Sequence, residues 1–215
     1  MKLGKIEAVE LAAVSDIAQV LPGFSTGKTF AHDPAGTHQV VLSRHLTPGL
    51  PYLYRPEDEF RIDPGRAARR YELRPGDVLF MSRGTRNVAS WIERVPEPAV
   101  APVSFYILRP TERVSPAYLT WYLNQPTAQR ELAQIRTGAT TPIVQRAAFA
   151  ELCVSVPDAA AQQRIGELGE MMARERLLLD RLADAVGRAH AASSDQLARS
   201  LLAHAHHGDG EPDNG

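Results

Sequence analysis

Between Pro157 and Pro212 the chain contains no proline. Within that span Ile165, Leu168, Met172, Leu179, Leu182, Val186 and Ala189 fall on alternating three- and four-residue steps, and Glu175 interrupts the series at one inward position. Such steps keep an apolar stripe on one side of an α-helix. The spacing therefore predicts a helix from near residue 160 to near 190, roughly 45 Å long at about 1.5 Å per residue. A stripe of that length cannot be satisfied by a lone helix. It has to pack on its own domain or pair with another helix, for instance one from a second protomer. Leu197, Leu201 and Leu202 suggest a further helical segment, and the chain turns polar and glycine-rich from His204. His204, His206 and His207 read as either a metal-binding cluster or a frayed tail. The chain thus divides into a globular domain over residues 1–158, a long helical dimerisation or spacer region over 159–203 and a disordered tail over 204–215.

Ahead of this helix the apolar runs are short and bounded by turns. Val9-Glu10-Leu11-Ala12-Ala13-Val14 reads as a strand or a helix start, and Pro22-Gly23 ends the segment after it. His38-Gln39-Val40-Val41-Leu42 reads as a strand, and Phe60-Arg61-Ile62 has short period-two character. Arg74-Pro75-Gly76-Asp77 is a turn, because Pro75 presets φ at the second position and Gly76 permits positive φ at the third. It leads into Val78-Leu79-Phe80-Met81, which is short, apolar and bounded, as a buried strand is. Val88 to Ile92 returns as a strand, and Val103 to Leu108 is the clearest strand of all. Ser115 stands as a capping residue before a first-turn proline, and Tyr118, Leu119, Tyr122 and Leu123 follow at helical spacing. Pro126 limits that helix, and a second begins near Thr127. Gly138-Ala139-Thr140-Thr141-Pro142 then breaks the chain and exposes two hydroxyls between Arg136 and Arg146.

The net charge is −1, so the chain as a whole is not a basic nucleic-acid binder. The makeup of the charge says more: 21 of the 24 basic residues are arginine. Arginine offers a planar donor fork suited to phosphates and guanine edges, although a GC-rich genome would also favour its codons. The loop after the buried strand carries Ser82, Arg83, Thr85, Arg86 and Asn87, side chains that bind phosphates and base edges. Its alternative is a polar hairpin loop. Arg66, Arg69 and Arg70 cluster before Tyr71 as either a solvated face or a phosphate-facing patch. Gly27-Lys28-Thr29 suggests a phosphate loop, but Pro22 stands where that motif needs a glycine. His32-Asp33 and Glu57-Asp58-Glu59 are the metal candidates, with a solvated acidic loop as the alternative. Cys153, the one cysteine, sits in an apolar run and reads as a buried thiol. No run approaches membrane-span length and no signal peptide opens the chain, so it reads as soluble and cytoplasmic.

The order of these motifs resembles one half of the specificity subunit of a type I restriction-modification system, an HsdS-like subunit. The Leu-Arg-Pro-Gly-Asp-Val-Leu-Phe turn and strand at 73–80 comes first, followed by an Arg-Gly loop. The Pro-x-Tyr-Leu-x-Trp-Tyr-Leu-Asn helix at 116–124, the Gly-Ala-Thr turn at 138–140 and Gln162-Gln163-Arg164-Ile165 come next, and the match covers roughly residues 5–190. The resemblance implies an α+β fold: a mixed α/β target recognition domain followed by a long coiled-coil-type helix. It implies a non-catalytic subunit that reads one half of a bipartite double-stranded DNA site and docks a DNA methyltransferase subunit. That partner uses S-adenosylmethionine to methylate adenine N6, and a separate motor-nuclease subunit cleaves in restricting systems.

The family carries two recognition domains and this chain carries one. A homodimer joined through Ile165, Leu168, Met172, Leu179, Leu182 and Val186 would restore the pair and predicts a palindromic site. DNA contacts are then expected from Ser82, Arg83, Thr85, Arg86 and Asn87, and from Arg136, Thr140, Thr141 and Arg146. Arg44, Arg66, Arg69 and Arg70 are secondary candidates. The competing readings are a protein-interaction module that pairs through its long helix and a metal-dependent nuclease.

Overall fold

Val78-Leu79-Phe80-Met81 is apolar at successive positions because it is covered on both faces. In the computed structural model, which describes residues 9–25, 31–54, 56, 59–95 and 97–208, this strand is β5 (Val78–Met81). It lies inside a four-stranded antiparallel sheet in the order β2 (Ala18–Pro22), β8 (Phe105–Pro110), β5, β6 (Ala89–Trp91). Strand alternation sends Val78 and Phe80 to one face and Leu79 to the other. The first face meets Tyr106, Leu108, Tyr118, Leu119, Leu132 and Phe149, with the Phe80 and Phe149 rings stacked at 4.3 Å. The second meets Tyr52, Leu73, Ile92, Phe105 and Ile107.

A smaller sheet in the order β4 (Arg61–Ile62), β3 (His38–Val40), β7 (Ala99–Val100) covers a third cluster of Phe24, Val40, Ile62, Ala68 and Val100. Strand β1 (Val9–Ala13) pairs antiparallel with β11 (Cys153–Pro157), joining the two ends of this part of the chain. Strands β9 (Arg136–Thr137) and β10 (Ile143–Val144) form a short hairpin. The helices are α1 (Val14–Ile17), α2 (Pro116–Leu123), α3 (Pro126–Ile135), α4 (Arg146–Ala150) and α5 (Ala159–Gly208). By compactness the chain forms two units, Met1–Ala173 and Arg174–Gly215.

Local chemistry explains the boundaries. Gly76 has φ +89°, and the turn closes with Asp77 N donating to Arg74 O at 3.0 Å. The Asp77 carboxylate accepts from Arg74 N at 2.9 Å and from Arg109 Nε at 3.2 Å, while burial pushes its carboxyl above the ordinary range. Ser115 Oγ caps α2 by accepting from Tyr118 N at 3.2 Å, with Pro116 in the first turn. At its other end, Asn124 Nδ2 donates to Ala89 O at 2.9 Å and its Oδ1 accepts from Ala89 N at 3.1 Å. One side chain thus bonds both backbone groups of Ala89 on the outer edge of β6, which also accepts from Gly49 N at Ala89 O and from Tyr52 N at Trp91 O. Helix α5 starts with Asp158 Oδ1 accepting from Ala161 N at 2.8 Å. Gln162 is buried and Gly166 and Gly169 sit against α2: a Cβ at Gly169 would lie 2.2 Å from Trp121 Cδ1.

Several expectations shift. The strand expected from Val103 starts at Phe105, because Phe105 N closes a turn on Pro102 O at 2.9 Å. Cys153 is exposed, not buried: β11 alternates, burying Val154 and Val156 and turning Cys153 outward. Arg66–Tyr71 forms a 3-10 helix. Helix α5 runs to Gly208. Gly27-Lys28-Thr29, Glu57, Asp58 and residues 209–215 lie outside the described residues. Among the described residues no helix is long and apolar enough to cross a membrane.

Replacing Asn124 with Ala strands the buried Ala89 N–H and should lower stability by about 2 kcal/mol. Gly169→Ala should cost about 1–3 kcal/mol through overpacking against Trp121. Denaturant titration checks both. Burial, then the neighbouring Tyr122, push the Tyr118 hydroxyl from 10 up to about 12. Because the folded state holds this proton longer, its contribution is intact below pH 10 and is lost as pH rises from 10 to about 12. In Tyr118→Phe, the alkaline loss measured by thermal melts should shrink by about 2–3 kcal/mol.

Candidate nucleic-acid interface

The end of β5 delivers the loop over residues 82–87, and the loop is anchored at both ends by buried side chains. Ser82 Oγ donates to Ser104 O at 3.0 Å, and Ser82 N donates to the same oxygen at 2.9 Å. Asn87 Nδ2 donates back to Met81 O at 2.9 Å, and Gln129 Nε2 donates to Asn87 O at 2.7 Å. Ser82 and Asn87 are 1% and 2% exposed. Both were expected to touch a ligand. Ser82 Oγ and Asn87 Nδ2 are turned inward and tie the loop's ends to the carbonyls of Ser104 and Met81.

The second predicted loop, over residues 138–142, is stitched onto the first. Gly84 N donates to Pro142 O at 2.8 Å, Val144 N donates to Ser82 O at 2.9 Å, and Arg83 forms an antiparallel bridge with Ile143. Arg136 Nη1 donates to Thr85 O across the gap. Positive φ at Gly84 (+97°) and Gly138 (+94°) lets both loops turn sharply. The Tyr106 hydroxyl, donating to Val144 O at 2.7 Å, locks the hairpin to the sheet. Burial pushes that hydroxyl up, against the opposing pull of Ser82 and of the Arg146 and Arg83 charges.

The structure therefore brings Arg83, Thr85, Arg86, Arg136, Thr140, Thr141 and Arg146 onto one pair of joined segments. All are exposed except Arg136, which is half-buried. Among the described residues none of Arg83, Arg86, Arg136 and Arg146 has a carboxylate partner within salt-bridge distance. Some arginines elsewhere are matched, Arg61 with Glu59 and Glu97, Arg109 with Asp77 and Arg113 with Glu10, whereas the exposed Arg44, Arg69 and Arg70 have no carboxylate partner among the described residues either. An exposed guanidinium that nothing neutralises is free to meet an anion.

The secondary candidates fall elsewhere. Arg44 is exposed in a 3-10 turn after β3. Arg66 opens the 3-10 helix that also carries Arg69 and Arg70, both exposed. Arg70 sits 4.7 Å over the Tyr71 ring, which packs on Phe24 of the third core. Of the metal candidates, His32 Nδ1 accepts from Arg61 N at 3.1 Å and Asp33 Oδ1 from Ala35 N at 2.9 Å. Among the described residues no three His, Cys, Asp or Glu side chains come together as a ligand set.

The helix stripe divides in two. Ile165, expected to pair with a partner, is half-buried against its own domain's core, and Leu168 is also half-buried. Both follow from the close glycine approach of α5 to α2. Met172, Leu179, Leu182 and Val186 are exposed by 43–60%. Leu178, Leu197, Leu201 and Leu202 are exposed as well. Gln129 and Tyr106, which hold the loops, are not among the residues that the sequence marks as candidates. Their signal was weak, since a helical Gln and a strand Tyr are ordinary core-rim residues.

An α+β domain with this sheet order, continuing into a long helix, has the fold of type I restriction-modification specificity subunits. The type I system S subunit from M. genitalium aligns with a TM-score of 0.54 at 9% identity, over 78% of this chain and 40% of that one. The HsdS subunit from Thermoanaerobacter tengcongensis gives 0.54 at 16% identity, over 82% and 40%. A chain from a structure of type I R-M complex assembly and conformational transition gives 0.59 at 16% identity, over 92% and 44%. This chain thus spans less than half the length of each. No family model and no curated protein matches the sequence.

Arg83→Ala and Arg86→Ala should leave the melting temperature unchanged within about 0.5 kcal/mol of stability, since both side chains are exposed. Asn87→Ala removes the anchor to Met81 O and should cost about 1–2 kcal/mol. Calorimetry separates the exposed class from the anchoring class.

Proposed function

We propose that the chain is a non-catalytic DNA-specificity subunit of a type I restriction-modification complex, presenting one recognition domain to one half of a bipartite site. The observation that carries this reading is the joined pair of loops with four unneutralised arginines. The shared fold supports it. The arginines would bind backbone phosphates and guanine edges, and Thr85, Thr140 and Thr141 would add hydroxyl contacts. Adenine-N6 methylation would be supplied by a partner methyltransferase using S-adenosylmethionine, and any cleavage by a motor-nuclease subunit. A second copy, paired through Met172, Leu179, Leu182 and Val186, would supply the other half-site. The exposure of that stripe also favours a second reading, a helix-pairing module with no role on DNA.

Binding of the full chain to duplex DNA at graded salt distinguishes the two. The DNA reading expects log affinity to fall linearly with log salt concentration, and Arg86→Ala to lower the slope by about 0.9 if it meets a phosphate. A salt-independent or absent interaction would favour the helix-pairing module. Light scattering at micromolar concentration should return a dimer, and Leu179→Glu with Leu182→Glu a monomer. A monomeric wild type would remove the dimer from the proposal.

A further inference from the structure

Gln145 stands at the N-terminal boundary of α4 with extended backbone, φ −66° and ψ 138°, yet its side chain makes no capping hydrogen bond. Its Nε2 instead donates to Thr137 Oγ1 at 3.2 Å. The Thr137 hydroxyl in turn donates to Ile143 O at 3.4 Å. This relay sets the orientation of the amide. With its proton directed at a carbonyl, the hydroxyl can only accept, so Gln145 must turn its NH2 toward Thr137. Among the described residues Oε1 and the second N–H of this exposed amide have no hydrogen-bond partner.

Gln145 is exposed, and with Gln19 and Arg146 it lines an open cavity of about 500 Å³. Room therefore lies beside Gln145. Cationic charge lies close by as well. Arg146 and Arg83 both act on the Tyr106 hydroxyl, which is bonded to Val144, the residue before Gln145. An acceptor and a donor in one plane match the major-groove edge of adenine, where N6 donates and N7 accepts.

We infer that Gln145 is a sequence-reading residue that pairs its amide with an adenine in the major groove, and that Thr137 is the positioning residue holding the amide plane. The inference rests on the DNA-recognition reading above. The test is selection from a randomised duplex library by the full-length wild type, Gln145→Ala, Gln145→Glu and Thr137→Val, then affinity for the selected duplex at two salt concentrations.

The wild type should select an A·T pair at one position. Gln145→Ala should lose that preference, bind the selected duplex about 10-fold more weakly, and keep its non-specific affinity and salt slope. Gln145→Glu should move the preference to a C·G pair, because a carboxylate accepts from cytosine N4. Misfolding cannot produce that gain. Thr137→Val should blur the same position alone. If Gln145→Ala and Gln145→Glu keep every wild-type preference, the assignment of Gln145 is overturned while salt-dependent DNA binding stands. If the wild type shows no salt-dependent binding, both readings fall.

Discussion

The entry to α2 and the end of β11 meet at the amide of Gln162. Its Oε1 accepts from Ser115 N at 2.8 Å, and its Nε2 donates to Arg113 O and to Pro157 O, each at 2.9 Å. These backbone groups belong to the entry to α2 and to the end of β11. Gln162 is only 4% exposed and its bond to Pro157 O is buried, so without the amide that carbonyl would be a polar group short of a partner away from water. One amide bonds all three backbone groups and sets where α5 begins. The close approach of Gly166 to Ala117 and of Gly169 to Trp121 follows from that start. So does the half-burial of Ile165 against its own domain.

Much of this architecture is written in short-range rules. The Arg74-Pro75-Gly76-Asp77 turn, the apolar β5, the Ser115-Pro116 start of α2 and the length of α5 each follow from one local requirement. What escaped the sequence depends on partners distant in the chain. Nothing near Cys153 reveals that β1 pairs with β11 and leaves alternate residues of β11 facing out. Nothing near Val103 reveals the turn on Pro102 that delays β8 by two residues. The heptad spacing of Ile165 is the same as that of Leu179, and only the glycine contact with α2 separates a core-facing residue from an exposed one.

The loops were legible as loops, and Arg83, Arg86 and Arg146 as exposed cations. Their apposition was not, because it rests on backbone bonds between residues 82–84 and 142–144. Composition could not separate the roles within one loop either. Ser82 and Asn87 are small polar residues like Thr85, but position at the ends of the loop turns them inward. Gln145 is a similar case, an ordinary polar residue whose geometry comes from Thr137 on the facing strand.

The anchors of the loop pair share one chemical trait. Ser82 Oγ, Asn87 Nδ2, Gln129 Nε2, the Tyr106 hydroxyl and the Gly84 N–H all donate to main-chain carbonyls. A carbonyl is the same whichever side chain its residue carries. The loops are therefore held without reference to the identity of residues 83, 85, 86, 140 and 141. Those positions can change lettering across descendants of this gene while the frame that displays them stays fixed. Diversification of the exposed surface and conservation of the fold place no competing demands on the same atoms.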